Sequence, residues 1–358
     1  MRICFIGPAN SSHIEKWCDW FSSHGHEIHV ISFTPGNPPN ACVHLINVGV
    51  DAKGSDVGKL KYLLTGKNIR ALVSSIRPDI VNVHYASSYG VAAAIGGVKN
   101  YILSVWGSDI YEFPKKSSLH KALLKYSLKR ARWLFSTSRA MAAEAGKYTD
   151  KKFEITPFGV DMDLFDPVRR NRKDDDFIVG TVKSLSDTYG IRYILEAVAA
   201  VKNEEEIPVK LRIAGKGPQE EEYRKLADDL GIAEITTWLG FISQSEAAVE
   251  WANMDLAIIP SEAESFGVSA VEAQSCSAAV IISDIPGLME ATDPGVTSKV
   301  VPVKDAGAIA DAIKELYREP EARIKMGIEG RKYVKANYEI DRCFQHIEEL
   351  YLQIKDNM

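Results

Sequence analysis

Ala257-Ile258-Ile259-Pro260-Ser261-Glu262-Ala263-Glu264-Ser265-Phe266-Gly267-Val268-Ser269-Ala270-Val271-Glu272-Ala273 is the stretch on which the reading of this chain turns. Its short apolar run, stopped by Pro260, has the pattern of a buried strand running into a loop. Ser265 is placed to cap a helix that begins near Phe266 or Gly267. Glu264 then stands in the loop at the mouth of that helix, and Glu272 lies inside it, about one to two turns along. The open amides of a helix's first turn and the positive end of its dipole suit a phosphate or a polar sugar, and Gly267 lets such a ligand approach the backbone. Two carboxylates so placed can accept hydrogen bonds from hydroxyls at opposite ends of one elongated ligand. The plainer reading of two glutamates near a helix start is that they favour its dipole or are solvated. What sets this pair apart is the sequence around it.

The segment from Glu264 to Ala273 resembles the paired-glutamate signature of glycosyltransferase family 4, two Glu separated by seven residues with Phe-Gly inside. The resemblance implies a retaining, nucleotide-sugar-dependent enzyme of the GT-B fold, with two facing doubly wound, Rossmann-like α/β domains and a cleft between them. It implies that Glu264 contacts the transferred sugar, that the backbone of Ser265, Phe266, Gly267 and Val268 contacts sugar and phosphate, and that Glu272 binds the ribose.

A chain of 358 residues suits two domains, and 46% hydrophobic with 25% charged residues is globular composition. A net charge of −5 argues against a nucleic-acid binder. The five cysteines, at 4, 18, 42, 276 and 343, are scattered without a Cys-x-x-Cys pair, so neither a disulfide framework nor a zinc site is expected. The expected compartment is a reducing cytoplasm, and no apolar run approaches the length of a spanning helix. Any membrane contact should be peripheral, on the inner face of the cell membrane.

From the N-terminus, residues 2–6 read as a buried strand, 7–12 as a turn-rich loop, and Ile14, Trp17, Trp20 and Phe21 as one helical face ending near His24-Gly25; 27–32 is the next strand. This βαβ unit implies a parallel sheet with ligands beyond the carboxyl ends of its strands. The first loop lacks Gly-x-Gly-x-x-Gly, which removes the main support for a dinucleotide oxidoreductase. The alternation continues through a helix near 58–76 and strands at 79–84, 101–105, 133–136 and 153–156. In the family the first loop meets the donor phosphates and acceptor, which makes His13 a candidate on the acceptor side, together with His84, Trp106 and Asp109 at two strand ends. Trp106 stands where many relatives have His. Asn82-Val83-His84 stands where they have His-x-His.

Lys115, Lys116, Lys121, Lys125, Lys129, Arg130 and Arg132 fall within eighteen residues that contain no Asp or Glu. Lys121, Lys125, Lys129 and Arg132 share one helical face, with Leu119, Leu123 and Tyr126 on another. A solvated helix and a helix facing anionic lipid head groups or an anionic acceptor are equally consistent with this pattern.

Asp161-Met162-Asp163 is a weak metal motif on its own, and it lies in a Gly-Val-Asp segment like the one that precedes the second domain in GT-B enzymes. The expected division is an acceptor-binding domain over 1–165, a polar linker over 166–176, a donor-binding domain over 177–337, and a final helix over 338–358 crossing back to the first domain. The second domain reads as strands near 177–182, 209–214, 235–239, 255–259 and 279–282. By resemblance, Ile242 lies in the stretch beside the nucleobase, and Lys183 meets the leaving phosphates. A second lysine, usual just before Gly190, is replaced by Tyr189. The resemblance thus implies transfer of a hexose or N-acetylhexosamine from a UDP- or GDP-sugar to a glycan or polyprenyl-diphosphate-linked acceptor, as in cell-surface polysaccharide assembly, with no cofactor and no metal. The alternatives are an epimerase or hydrolase on the same fold and a catalytically weak sugar-nucleotide-binding partner subunit.

Overall fold

Short, largely apolar runs bounded by polar turns build most of the strands. In the computed structural model, which describes residues 1–48, 60–172, 176–203 and 207–358, these are Arg2–Ile6 (β1), Glu27–Ser32 (β2), Ala41–Leu45 (β3), Ile80–His84 (β4), Ile102–Val105 (β5), Trp133–Ser136 (β6) and Phe153–Ile155 (β7). They form one parallel sheet of order β3-β2-β1-β4-β5-β6-β7. A second parallel sheet takes Phe177–Val182 (β8), Val209–Ala214 (β9), Thr236–Gly240 (β10), Leu256–Ile259 (β11), Ala279–Ser283 (β12) and Ser298–Val301 (β13) in the order β10-β9-β8-β11-β12-β13. Strand orders that step outward on both sides of β1 and of β8 make each unit doubly wound.

Helices Ser12–Ser23 (α1), Gly66–Ile76 (α2), Tyr89–Gly96 (α3), Ser108–Tyr111 (α4), Ser118–Arg130 (α5) and Arg139–Ala145 (α6) accompany the first sheet. Ile191–Lys202 (α7), Glu220–Asp229 (α8), Gln244–Asn253 (α9), Val268–Ser275 (α10), Pro286–Ala291 (α11), Ala306–Arg318 (α12) and Pro320–Asn337 (α13) accompany the second. The helix expected near 58–76 is a 3-10 turn over Leu60–Thr65 followed by α2, and its first two residues lie outside the described residues. The last helix, Ile340–Asp356 (α14), buries Cys343, Ile347, Leu350 and Tyr351, the apolar spacing read from the sequence.

The chain divides into one unit of Met1–Phe158 with Cys343–Met358 and another of Gly159–Arg342. The change of unit therefore precedes the expected linker, and the described part of 166–176 is bonded into the second unit. Asn253 Oδ1 accepts from the amides of Asn171 and Arg172, while Arg170 and Arg172 pair with Asp255 at 3.1 and 2.7 Å. Residues 173–175 of that linker lie outside the described residues. Asp161 is also accounted for: its Oδ1 accepts from the amides of Asp163 and Leu164, a backbone turn rather than a metal motif.

Candidate active site

The second unit gathers the paired glutamates and Lys183 at the carboxyl ends of β8 and β11. Lys183 directly follows β8, and its amide extends the strand's ladder by donating to Ala214 O at 2.8 Å. Its Nζ is 2.6 Å from Glu264 Oε2, and each side chain is only 12% exposed. Ser261 Oγ adds a 3.4 Å bond to the same carboxylate oxygen. Nζ also lies 4.6 Å from the centre of the Tyr189 ring, so the residue standing in the usual place of a second lysine supports the first with its π-face. Burial opposes the charge on Lys183. Glu264, then Tyr189 and Glu272, outweigh it and hold the ammonium above the ordinary lysine range.

Helix α10 begins at Val268, later than Phe266 or Gly267, and Ser265 does not cap it. The N-cap is Gly267 at φ 94°, a left-handed conformation in which a Cβ would also come within 2.9 Å of Leu288 Cδ2. The turn draws Phe266 into the core, where it is 2% exposed and meets Tyr338 edge-on at 5.0 Å. Phe266 therefore anchors the helix start, and only its backbone remains for a ligand. Ser269 Oγ donates to Val182 O at 3.1 Å, which ties the helix to the end of β8. The amides of Val268 and Ser269 precede the helix's own hydrogen-bond ladder and form an anion-binding end. Glu272 follows one turn on, half-buried and close enough to add to the negative field at Lys183. Gly287 makes room for the Glu264 backbone: a Cβ there would sit 2.2 Å from Glu264 O.

A cavity of about 320 Å³ opens beside Lys183 at the ends of β8, β9 and β10, walled by Lys183, Ser184, Gly215, Lys216, Phe241 and Ile242. This is the expected position for a ligand in a doubly wound sheet, and the volume lies within the range of small-molecule sites. Ile242 was named from the sequence, as part of the stretch that resemblance puts beside the nucleobase. The 80%-exposed ring of Phe241 and the exposed ammonium of Lys216 were not, although a large apolar residue beside Gly240 and a lysine between two glycines were the available signals. Arg192, in the first turn of α7, is paired with Glu222 and Glu196.

Residues 165–333 match the family model "Glycosyl transferases group 1", and residues 2–138 match "Glycosyl transferase 4-like". The D-inositol 3-phosphate glycosyltransferase of Pseudarthrobacter chlorophenolicus is 31% identical over 322 residues, which cover 81% of this chain and 75% of that protein. This chain belongs to the group 1 glycosyltransferases. Sucrose-phosphate synthase from Thermosynechococcus elongatus shares the transferase's fold with a TM-score of 0.85 at 20% identity, covering all of both chains. The UDP complex of Anabaena HepE does so at 0.80 and 16% identity, covering 99% of this chain and all of that one. These two likenesses establish the GT-B fold.

In the transferase's first unit, His13, His84 and Trp106 do come together, but as an aromatic cluster. The His13 ring stacks on Phe158 at 3.8 Å and meets Trp106 at 5.4 Å, and its amide donates to the N-cap Ser11. His84 is fully buried among Phe5, Trp17 and Trp106: the last side chain of β4 points into the core. Burial lowers both histidines to about 3, with Lys16 adding to the effect at His13 and His13 at His84, so both rings are neutral at pH 7. Asp109 is buried too. Its carboxylate accepts from the amides of Ala86, Trp106 and Gly107 at 2.8 to 3.1 Å and braces two loops rather than meeting a ligand. Burial raises its pKa while these amide bonds oppose the shift. Asn82 is likewise internal, donating to Tyr351 Oη and accepting from Ser104 Oγ.

Proposed function

We propose that this glycosyltransferase moves a hexose or N-acetylhexosamine from a nucleotide diphosphate sugar, with UDP as the nucleotide, to a glycan or polyprenyl-diphosphate-linked acceptor with retention at the anomeric carbon. The observation that carries the proposal is the Lys183–Glu264 pair set between the cavity and the amide end of α10. In this reading the diphosphate lies against Lys183 and the amides of Val268 and Ser269, Glu264 accepts hydroxyls of the sugar, and Glu272 accepts those of the ribose. The bond from the anomeric carbon to the phosphate oxygen breaks with its electron pair going to the diphosphate. The acceptor oxygen bonds to the same face of that carbon, and its proton passes to the departing phosphate oxygen. Lys183 and the helix amides meet the charge that grows on the diphosphate, so the reading calls for neither a side-chain base nor a metal. The UDP complex of Anabaena HepE supports the choice of nucleotide.

A lipid-linked acceptor is supported by α5. Its core side is Leu124, Ser127 and Leu128, and Leu119 and Tyr126 are 56% and 41% exposed beside the exposed Lys121, Lys125 and Lys129. Cations next to exposed apolar side chains suit an anionic membrane surface. Among the described residues no helix is long and apolar enough to cross a membrane.

Tyr189 in place of a second cation favours one other reading, a subunit that binds the donor without transferring its sugar. Incubation with UDP- and GDP-sugars and lipid-linked or glycan acceptors separates the two. The expected results are a donor-dependent rise in melting temperature, roughly 2.7 kcal/mol of added stability at 100 times the dissociation constant, and a glycosylated product. Stabilisation without any product supports the binding-only reading, and release of free sugar supports a hydrolase.

A further inference from the structure

His29, Cys42 and His44 belong to none of the machinery placed above, yet they converge at one edge of the first sheet. Strands β2 and β3 run parallel with His29 opposite Cys42 and Ile31 opposite His44, and β3 is the edge strand. Side chains two apart along a strand share a face, so register alone brings the three together. His29 Nδ1 is 3.0 Å from His44 Nε2, and one ring nitrogen of each histidine and Cys42 Sγ all lie within 4.8 Å of one another. The two imidazoles meet edge to edge, with centroids 5.3 Å apart and planes 21° from parallel, so one ring nitrogen aims its lone pair at the other. Behind them, Glu27 Oε1 is 3.0 Å from His29 Nε2, and Arg2 Nε is 2.9 Å from Glu27 Oε2. A carboxylate that accepts a hydrogen bond from the Nε2–H fixes His29 in the tautomer whose Nδ1 lone pair faces the cluster, the arrangement that commonly stands behind metal-bound histidine. Cys42 is exposed while the other four cysteines are buried, so it is the thiol that an ion from solvent can reach.

We propose that His29, Cys42 and His44 bind one Zn²⁺ ion, with Glu27 as the hydrogen-bonding partner behind His29 and water in the fourth position, and that the ion pins the edge strand β3 to β2. A tetrahedral zinc site with Zn–N of about 2.0 Å and Zn–S of about 2.3 Å separates its nitrogens by about 3.3 Å and nitrogen from sulfur by about 3.6 Å. Small side-chain rotations connect that geometry to the spacing present. One thiolate with two imidazoles is a donor set for zinc and not for magnesium or calcium. On binding, Cys42 gives its thiol proton to solvent and His44 carries its hydrogen on Nδ1, so each ion releases one proton.

The test uses the untagged, metal-stripped full chain, titrated with Zn²⁺, with Co²⁺ as a spectroscopic substitute and Mg²⁺ as control, and none of its readouts depends on glycosyl transfer. The expected result is one Zn²⁺ per chain, a raised melting temperature that Mg²⁺ does not produce, and a near-ultraviolet thiolate-to-cobalt charge-transfer band. Cys42→Ser should abolish that band and weaken Zn²⁺ binding by more than about tenfold, the scale on which even loss of a residue behind a metal ligand is felt. His44→Gln, a second exposed-edge variant, should weaken binding similarly while leaving the circular dichroism of the fold unchanged. Absence of stoichiometric Zn²⁺ binding, or binding by Cys42→Ser as tight as that of the parent, would overturn the proposal.

Discussion

Glu264 and Glu272 share an electrostatic field at Lys183, and the sugar and ribose roles proposed for them are separable by kinetics. Ribose contacts are equal in ground and transition states, so Glu272→Ala should weaken nucleotide affinity in calorimetric titration more than it lowers kcat. Glu264→Ala should do the reverse. A folded Glu272→Ala variant with parental nucleotide affinity would remove that residue from the ribose site. The half-buried His13 and the buried His84 make a different prediction at the same scale. His13 and His84 titrate near 3 in the folded chain against about 6.5 when unfolded, because burial excludes the imidazolium. The unfolded chain therefore takes up protons that the folded chain refuses. Their contribution to stability is complete above pH ~6.5 and declines as pH falls toward 3, by up to about 1.4 kcal/mol per pH unit for each histidine. Urea unfolding at pH 7 and pH 5 should show that slope, and His84→Phe, which keeps a ring among Phe5, Trp17 and Trp106, should flatten it. An equal slope in parent and variant would contradict the assignment.

Among the elements, α5 presents the clearest test. Replacing Lys121, Lys125 and Lys129 with Glu should release the transferase from anionic vesicles and lower activity on lipid-linked acceptors more than on soluble ones, each cation being worth about 1 kcal/mol near such a surface. Equal vesicle binding by variant and parent at low salt would make α5 an ordinary solvated helix. Central strands such as β1, β8 and β9 were legible in the sequence to the residue: β1 and β8 read as nearly continuous apolar runs between turns, and β9 as an alternation of Val, Leu and Ile with Lys210 and Arg212. The edge strands β3 and β13 were not, since Ala41–Leu45 is half exposed and Ser298–Val301 is short and partly polar. Missing β3 also hid the convergence of His29, Cys42 and His44, which only the pairing of two strands creates. The start of α10 was misplaced for a related reason: Ser265 has the chemistry of a cap, but the left-handed Gly267 and the core contact of Phe266 with Tyr338 set the boundary.

At the scale of the molecule, the paired-glutamate segment pointed to both the family and the two-sheet architecture. Lys183, Glu264, Glu272 and Ile242, named from that pattern, all fall at the carboxyl ends of the second sheet. The burial of His84 and Asp109 was not legible because the end of a strand can be read in sequence, whereas the direction of its last side chain and the amides that claim a carboxylate depend on packing. In the proposed mechanism Lys183 meets the charge developing on the departing diphosphate. Turnover of Lys183→Ala is therefore the decisive measurement, made at saturating donor in protein whose circular dichroism and melting confirm the fold. Loss of the ammonium should lower kcat by at least about 10²-fold, the loss that follows removal of one preorganised charge-stabilising donor, and kcat close to that of the parent would rule that role out.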